Sequence, residues 1–347
     1  MKVLVTGTEG YIGSVLAPFL EQRGHQVTGF DTGFYADQPL YRTPPPRGLQ
    51  VCNDTRRLTP ENLKGFDAVV HLAELSNDPL GQLNPKITFE INHRGSVHVA
   101  QVAREAGVQR FVYSSSCSVY GAGTGDFKTE ESPVNPQTAY AECKVLVERD
   151  VSTLANESFS PVFLRNATAF GLSPRMRFDL VLNNLSGLAW TTHEIKMTSD
   201  GTPWRPLVHI KDISLAIACA LEAPRAAVHG QIFNVGDNAA NYQVRDIAEV
   251  VAGVFKGCVL SFGRSDADNR SYRVTFDKIR QHLPAFACAH TARTGALELR
   301  EGFERIGLTR EIFEHRAFTR LKQLTYLINE NQIGSDLFWR CERRSCG

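Results

Sequence analysis

The chain has 347 residues, of which 42% are apolar and 22% charged, an ordinary balance for a folded protein with core enough for two structural units. Its 38 basic and 37 acidic side chains nearly cancel, which excludes the strong sequence-independent attraction of a basic surface to nucleic acid or anionic membrane. No run of 18 apolar residues is available to span a bilayer, and MKVLVTG enters a strand at once, without the apolar stretch of a secretion signal.

The eight cysteines are scattered, with no CxxC pair and no Cys–His spacing of a zinc site, so free thiols, no metal and a cytoplasmic location are expected. In chain order, residues 3–5, 26–30, 50–53, 68–72, 111–114 and 162–165 read as short strands, several of them apolar on both faces. Such runs suit a parallel sheet buried between helix layers. Between the first two, Ile12, Val15, Leu16, Phe19 and Leu20 keep helical spacing, and Gly24 is placed to end that helix. Residues 87–106 and 140–155 predict two longer helices, and the alternation as a whole predicts an α/β, doubly wound, Rossmann-like parallel sheet. Pro44, Pro45 and Pro46 mark a surface excursion within 41–48, and 121–137, rich in Gly, Pro and acids, predicts a loop lying over a site. Past Phe170 the alternation loosens.

Gly7, Gly10 and Gly13 form GxxGxxG directly between the first strand and the first helix. Glycines there let the chain turn sharply and let a pyrophosphate approach the helix N-terminus, where free N–H groups and the dipole favour anions. A glycine triplet alone is often only a steric turn, but here strand, turn, amphipathic helix, strand and acid follow in the required order. Asp31 ends the second strand, where a carboxylate accepts hydrogen bonds from the adenosine ribose and repels a 2′-phosphate. No Arg follows at Thr32 or Gly33, so NAD is expected rather than NADP.

FVYSSSCSVYG at 111–121, followed by Tyr140-Ala141-Glu142-Cys143-Lys144, closely resembles the extended short-chain dehydrogenase/reductases, and best their nucleotide-sugar epimerase and dehydratase branch, which includes the UDP-galactose 4-epimerases. The resemblance covers about residues 1–290. It implies that Tyr140 moves a sugar hydroxyl proton as hydride passes to and from NAD, that Lys144 supports it, and that Ser116 holds the same oxygen. The chemistry needs such a pair: with a pKa near 10, only about 0.1% of an ordinary tyrosine is phenolate at neutral pH, and an ammonium at i+4 lowers that cost. An isolated Tyr–Lys pair would be ordinary helix surface; behind this glycine turn it is not.

The resemblance further implies that Tyr11, Ile12, Asp54, Leu72, Ala73, Asn92 and Ser114 lie along the cofactor. It also implies that Asn184 and Arg205 meet the diphosphate of a nucleotide-diphosphate sugar, and that Asp268 contacts its nucleoside. Relatives pair the helices at 87–106 and 140–155 across a two-fold axis, which implies a homodimer. The organisation expected is an NAD-binding domain at 1–170, a substrate-binding portion at 171–296 with strands returning to the main sheet, and a helical extension at 297–347, disordered near 343–347.

Two departures bear on the reaction. Family dehydratases carry an Asp-Glu pair after the active-site Ser/Thr, where this chain has Cys117 and Ser118, which disfavours elimination. Cys117 reads as a small packing residue, while a thiol beside the sugar would instead serve a 3- or 5-epimerase as acid or base. Thr168 stands where the 4-epimerases have an Asn. The leading expectation is epimerisation at C4; a 4-ketoreductase that exchanges its cofactor, and a non-catalytic NAD-binding protein on the same fold, are the alternatives.

Overall fold

Seven parallel strands carry the molecule: β1 (Lys2–Thr6), β2 (Gln26–Asp31), β3 (Gln50–Cys52), β4 (Ala68–His71), β5 (Arg110–Ser116), β6 (Ser160–Asn166) and β7 (Ile232–Val235). They lie in the order β7-β6-β5-β4-β1-β2-β3 in a computed structural model that describes residues 1–44, 47–76, 84–264 and 270–340. The order reverses direction between β1 and β4, and ligands bind outside the carboxyl ends of strands at such a switch point.

The sheet is apolar on both sides because side chains alternate along each strand and helices cover both faces. Val3 and Val5 enter a core with Val70, Val112, and with Leu16 and Leu20 of α1 (Gly13–Gln22). Leu4, Val69, Phe111 and Phe163 point the other way, onto Val99 and Ala103 of α2 (Ser96–Glu105) and Val147 and Val151 of α3 (Ala139–Ser152). α2 is entered through a π-helical stretch, Phe89–Gly95.

A third core joins α4 (Val181–Thr192), α6 (Val244–Val254) and α7 (Ala292–Ile306) beside the sheet, with α5 (Ile210–Glu222) packed back on the main core. Three-stranded pairing of Thr168–Phe170, Trp204–His209 and Asn241–Gln243 forms the floor of this second portion.

The six expected strands are present to within about two residues at each end, and β7 is the strand that returns from the second portion. Two expectations are corrected. Part of 121–137 is a strand, Ala122–Lys128, paired with Ser271–Val274. The boundary at 297 falls inside α7, whose Ala292, Ala296, Leu299 and Phe303 are core of the second portion. Beyond it lie Arg310–Glu314 and α8 (Arg320–Asn329), then an isolated bridge, Ile333 to Trp339. Pro45, Pro46 and residues 343–347 lie outside the described residues. Among those described, no helix is long and apolar enough to cross a membrane.

Candidate active site

At the carboxyl ends of the strands a cleft of about 1210 Å³ runs from the glycine turn to the second portion. Gly7 has φ +81°, and a Cβ there would sit 2.9 Å from the Ala73 nitrogen; a Cβ on Gly13 would sit 2.0 Å from the Gly7 carbonyl oxygen. Only glycine lets the turn close against β4 and the helix start at once. α1 begins with no side-chain cap and no acid in its first turn, so its positive end faces the cleft.

Asp31 is buried at the end of β2 and accepts from the backbone N–H of Glu9 (2.9 Å) and of Gly33 (2.8 Å). Burial pushes its carboxyl up to about 6, against the pull of those two donors. Asp54 caps the short turn Thr55–Arg57 and pairs with the Arg56 guanidinium at 2.7 Å. Both acids line the cleft with Gly10, Tyr11, Ile12, Leu72 and Ala73. The cradle without room for side chains, the uncapped helix end and the buried acid at the end of β2 together fit a dinucleotide.

Thr138 caps α3 by accepting from Ala141 N–H, which starts the helix so that Tyr140 and Lys144, one turn apart, share its cleft side. The Lys144 ammonium lies 5.4 Å from the centre of the Tyr140 ring and donates to the Ser114 carbonyl at 2.5 Å. It meets the Glu74 carboxylate at 2.6 Å. Burial alone would pull the lysine pKa down, but Glu74 and then Tyr140 reverse this and leave it above its ordinary value. Ser116, at the end of β5, lines the cleft and accepts from the Ser118 N–H at 3.1 Å. The Ser114 hydroxyl accepts from the Asn166 amide at 3.0 Å, and both residues line the cleft. Across the cleft, Asn184 donates to the Phe178 carbonyl at 2.8 Å, and Arg205 donates to the carbonyls of Trp204 (2.8 Å) and Arg270.

The expected residues thus converge, with three exceptions. Cys117 is buried in the main core and its thiol donates to the Arg165 carbonyl at 3.1 Å, so it is not beside a sugar; burial pushes its pKa well up, which suits packing and not acid–base work. Asn92 does not line the cleft either. Fully buried, it accepts from Leu75 N–H (2.8 Å) and donates to Leu75 C=O (3.0 Å), fixing the loop that does. Asp268 lies outside the described residues.

Sequence reasoning passed over Glu74, Arg177 and Arg320, all of which line the cleft. An acid three residues past an apolar strand was a signal for Glu74. Arg177, paired with Asp179, and Arg320, buried over the Tyr35 ring at 4.1 Å, come from loop and C-terminal segments without a motif. Ser118, noted only for replacing an acid, puts a buried hydroxyl there with no hydrogen-bond partner among the described residues. The site can hold a dinucleotide by its phosphates and ribose, and can move a proton between a phenol and a hydroxyl placed at Ser116.

A family model described as the NAD dependent epimerase/dehydratase family matches residues 3–236. The chain is 29% identical to a UDP-glucose 4-epimerase of Corynebacterium glutamicum over 265 residues, covering 72% of this chain and 79% of that protein. It is 26% identical to a dTDP-glucose 4,6-dehydratase of Streptomyces griseus, covering 81% and 88%. Among solved structures, MoeE5 in complex with UDP-glucose and NAD is similar with a TM-score of 0.74 and 25% identity, covering 88% of this chain and 99% of that one.

Proposed function

The chain belongs to the NAD-dependent epimerase/dehydratase family, and from that membership we propose that it inverts C4 of a nucleotide-diphosphate sugar through a transient 4-keto sugar. The observation that carries this reading is Tyr140, Lys144 and Ser116 lining the same cleft as Gly7 and Asp31, with no acid where a dehydratase needs its pair.

NAD, when bound, supplies the acceptor and later the donor of hydride at the nicotinamide. The protein does the rest. Tyr140 takes the proton of the C4 hydroxyl and returns it after the sugar presents its other face. Lys144, held charged beside the ring, lowers the cost of the phenolate, and Ser116 holds the same oxygen in line. Asn184 and Arg205 anchor the diphosphate while the hexose turns.

Elimination is unsupported because Cys117 is turned into the core and Ser118 offers only a hydroxyl. Of the carboxylates at the cleft, Asp31 accepts backbone N–H groups, while Asp54, Glu74 and Asp179 are paired with cations. Net redox would require cofactor exchange each turnover, and the C-terminal segment lies over the adenosine end: Trp339 donates to Thr32 C=O at 2.7 Å and Gln323 to Phe34 C=O at 3.0 Å.

The test is incubation of the purified protein with UDP-, GDP-, CDP- and dTDP-sugars in D2O. We expect one C4 epimer, no deuterium on carbon and no net NADH. Deuterium at C3 or C5, a 4-keto-6-deoxy product or stoichiometric NADH change would each overturn the reading.

A further inference from the structure

Glu74 lies three residues past the end of β4, and its side chain is only 2% exposed. One carboxylate oxygen accepts from the Tyr113 hydroxyl at 2.6 Å and from the Ser96 hydroxyl at 3.0 Å; the other lies 2.6 Å from the Lys144 ammonium. Behind Ser96 the network continues to His71 Nε2 at 2.9 Å, and from His71 Nδ1 to the Thr6 hydroxyl at 2.8 Å. Burial, then Lys144, hold the His71 pKa down to about 3, so the ring is neutral and carries one hydrogen. Because Ser96 gives its hydrogen to Glu74, that ring hydrogen sits on Nε2, and Thr6 donates to Nδ1. The Thr6 oxygen in turn accepts the N–H groups of Leu72 and Ala73, the backbone against which Gly7 packs. One anion and one cation stand in this buried network: the hydrogen bonds from Thr6 through His71 and Ser96 to Glu74 each have a donor and an acceptor, and Lys144 closes on the second Glu74 oxygen as an ion pair.

We propose that Glu74 is a positioning residue for the catalytic pair: it fixes the Lys144 ammonium at the cleft wall and keeps it charged there, beside Tyr140. A buried ammonium without a counter-charge gives up its proton readily. The groups facing Lys144 are Tyr113 on β5 (ring centre 4.6 Å), Tyr140 and Cys143 on its own helix, neutral His71 on β4, and Glu74. Glu74 is the one carboxylate paired with Lys144 among the described residues, since nearby Glu148 is held by Arg165 at 2.7 Å. Glu74 therefore acts through Lys144 and touches neither substrate nor hydride.

The inference rests on the roles given to Tyr140 and Lys144, so the test includes a readout that needs no turnover. The Nζ signal of Lys144 is followed against pH in 15N-lysine-labelled protein, assigned by its loss in Lys144→Arg. In the wild type it should titrate above the exposed lysines. In Glu74→Gln it should titrate at lower pH than in the wild type. The alkaline limb of kcat should move down with it, leaving turnover near pH 6 within about twofold and cutting it about tenfold at pH 9. Glu74→Asp, which keeps the charge, should restore most of the alkaline activity. Superimposable titrations, or a uniform loss of kcat at all pH values, would overturn the proposal. If Glu74→Gln does not fold, a wild-type Lys144 signal that titrates with or below the exposed lysines overturns it alone. Tyr140→Phe with its turnover intact would sink the underlying assignment and leave the NMR result standing.

Discussion

Tyr140, the proposed proton carrier, contributes little to the fold, since its ring is half-buried at the start of α3 on the cleft wall. Tyr140→Phe should keep the thermal midpoint and NAD affinity and lose nearly all turnover. A variant retaining more than about a tenth of the rate, a loss of roughly 1.4 kcal/mol, would contradict the assignment. At this scale the sequence was most legible where function depends on spacing along the chain. Gly7, Gly10 and Gly13 sit on one strand–turn–helix, Asp31 ends the next strand, and Tyr140 and Lys144 share one helical turn, with Ser116 at the end of β5. It was least legible where a role comes from distant partners. Glu74 gains its setting from Tyr113, Ser96 and Lys144, up to 70 residues away, and no local pattern announces that. Asn92 has the residue type of a cofactor contact, yet its amide is spent on Leu75, which only the fold discloses.

The central strands β1, β4, β5 and β6 were readable because a strand covered on both faces is largely apolar, whatever its partners. The strand Ala122–Lys128 was not, since Ala-Gly-Thr-Gly has no strand signature and its partner, Ser271–Val274, lies far along the chain. α7 is tied to the second portion by Glu298, which accepts from His209 (2.7 Å), Lys211 (2.5 Å) and Leu172 N–H (3.2 Å). Burial works against its charge, but His209 and Lys211 hold the carboxyl down to about 2. Its contribution to stability is therefore full above the ordinary carboxyl pKa and is lost as pH falls toward 2. Glu298→Gln should cost about 2 kcal/mol in urea unfolding at pH 7, with the gap to wild type narrowing steadily by pH 3; a gap independent of pH would contradict the linkage. In the C-terminal segment, Phe338 lies under the Arg56 guanidinium (3.7 Å), and Trp339 and Gln323 bond the chain beside Asp31. Trp339→Ala should raise the NAD dissociation rate at least about fivefold, roughly 1 kcal/mol, and leave kcat at saturating NAD near wild type. An unchanged off-rate by stopped-flow displacement would remove the segment from cofactor retention.

For the whole molecule we propose a homodimer through the outer faces of α2 and α3. Gln101, Arg104, Glu142 and Arg149 are exposed there, so the contact is polar and should weaken as salt rises. Light scattering at micromolar protein and low salt should give twice 38.5 kDa; a monomer mass would contradict the pairing. For its chemistry we propose that one tightly held NAD takes hydride from C4 and returns it to the opposite face, with Tyr140 handling the proton. The most direct test starts from the nucleotide sugar that the substrate panel identifies, carrying deuterium at C4, in ordinary water with no added cofactor. The inverted product should keep the deuterium at C4 through many turnovers. Loss of that label to solvent or to added NAD, or its appearance at another carbon, would contradict it.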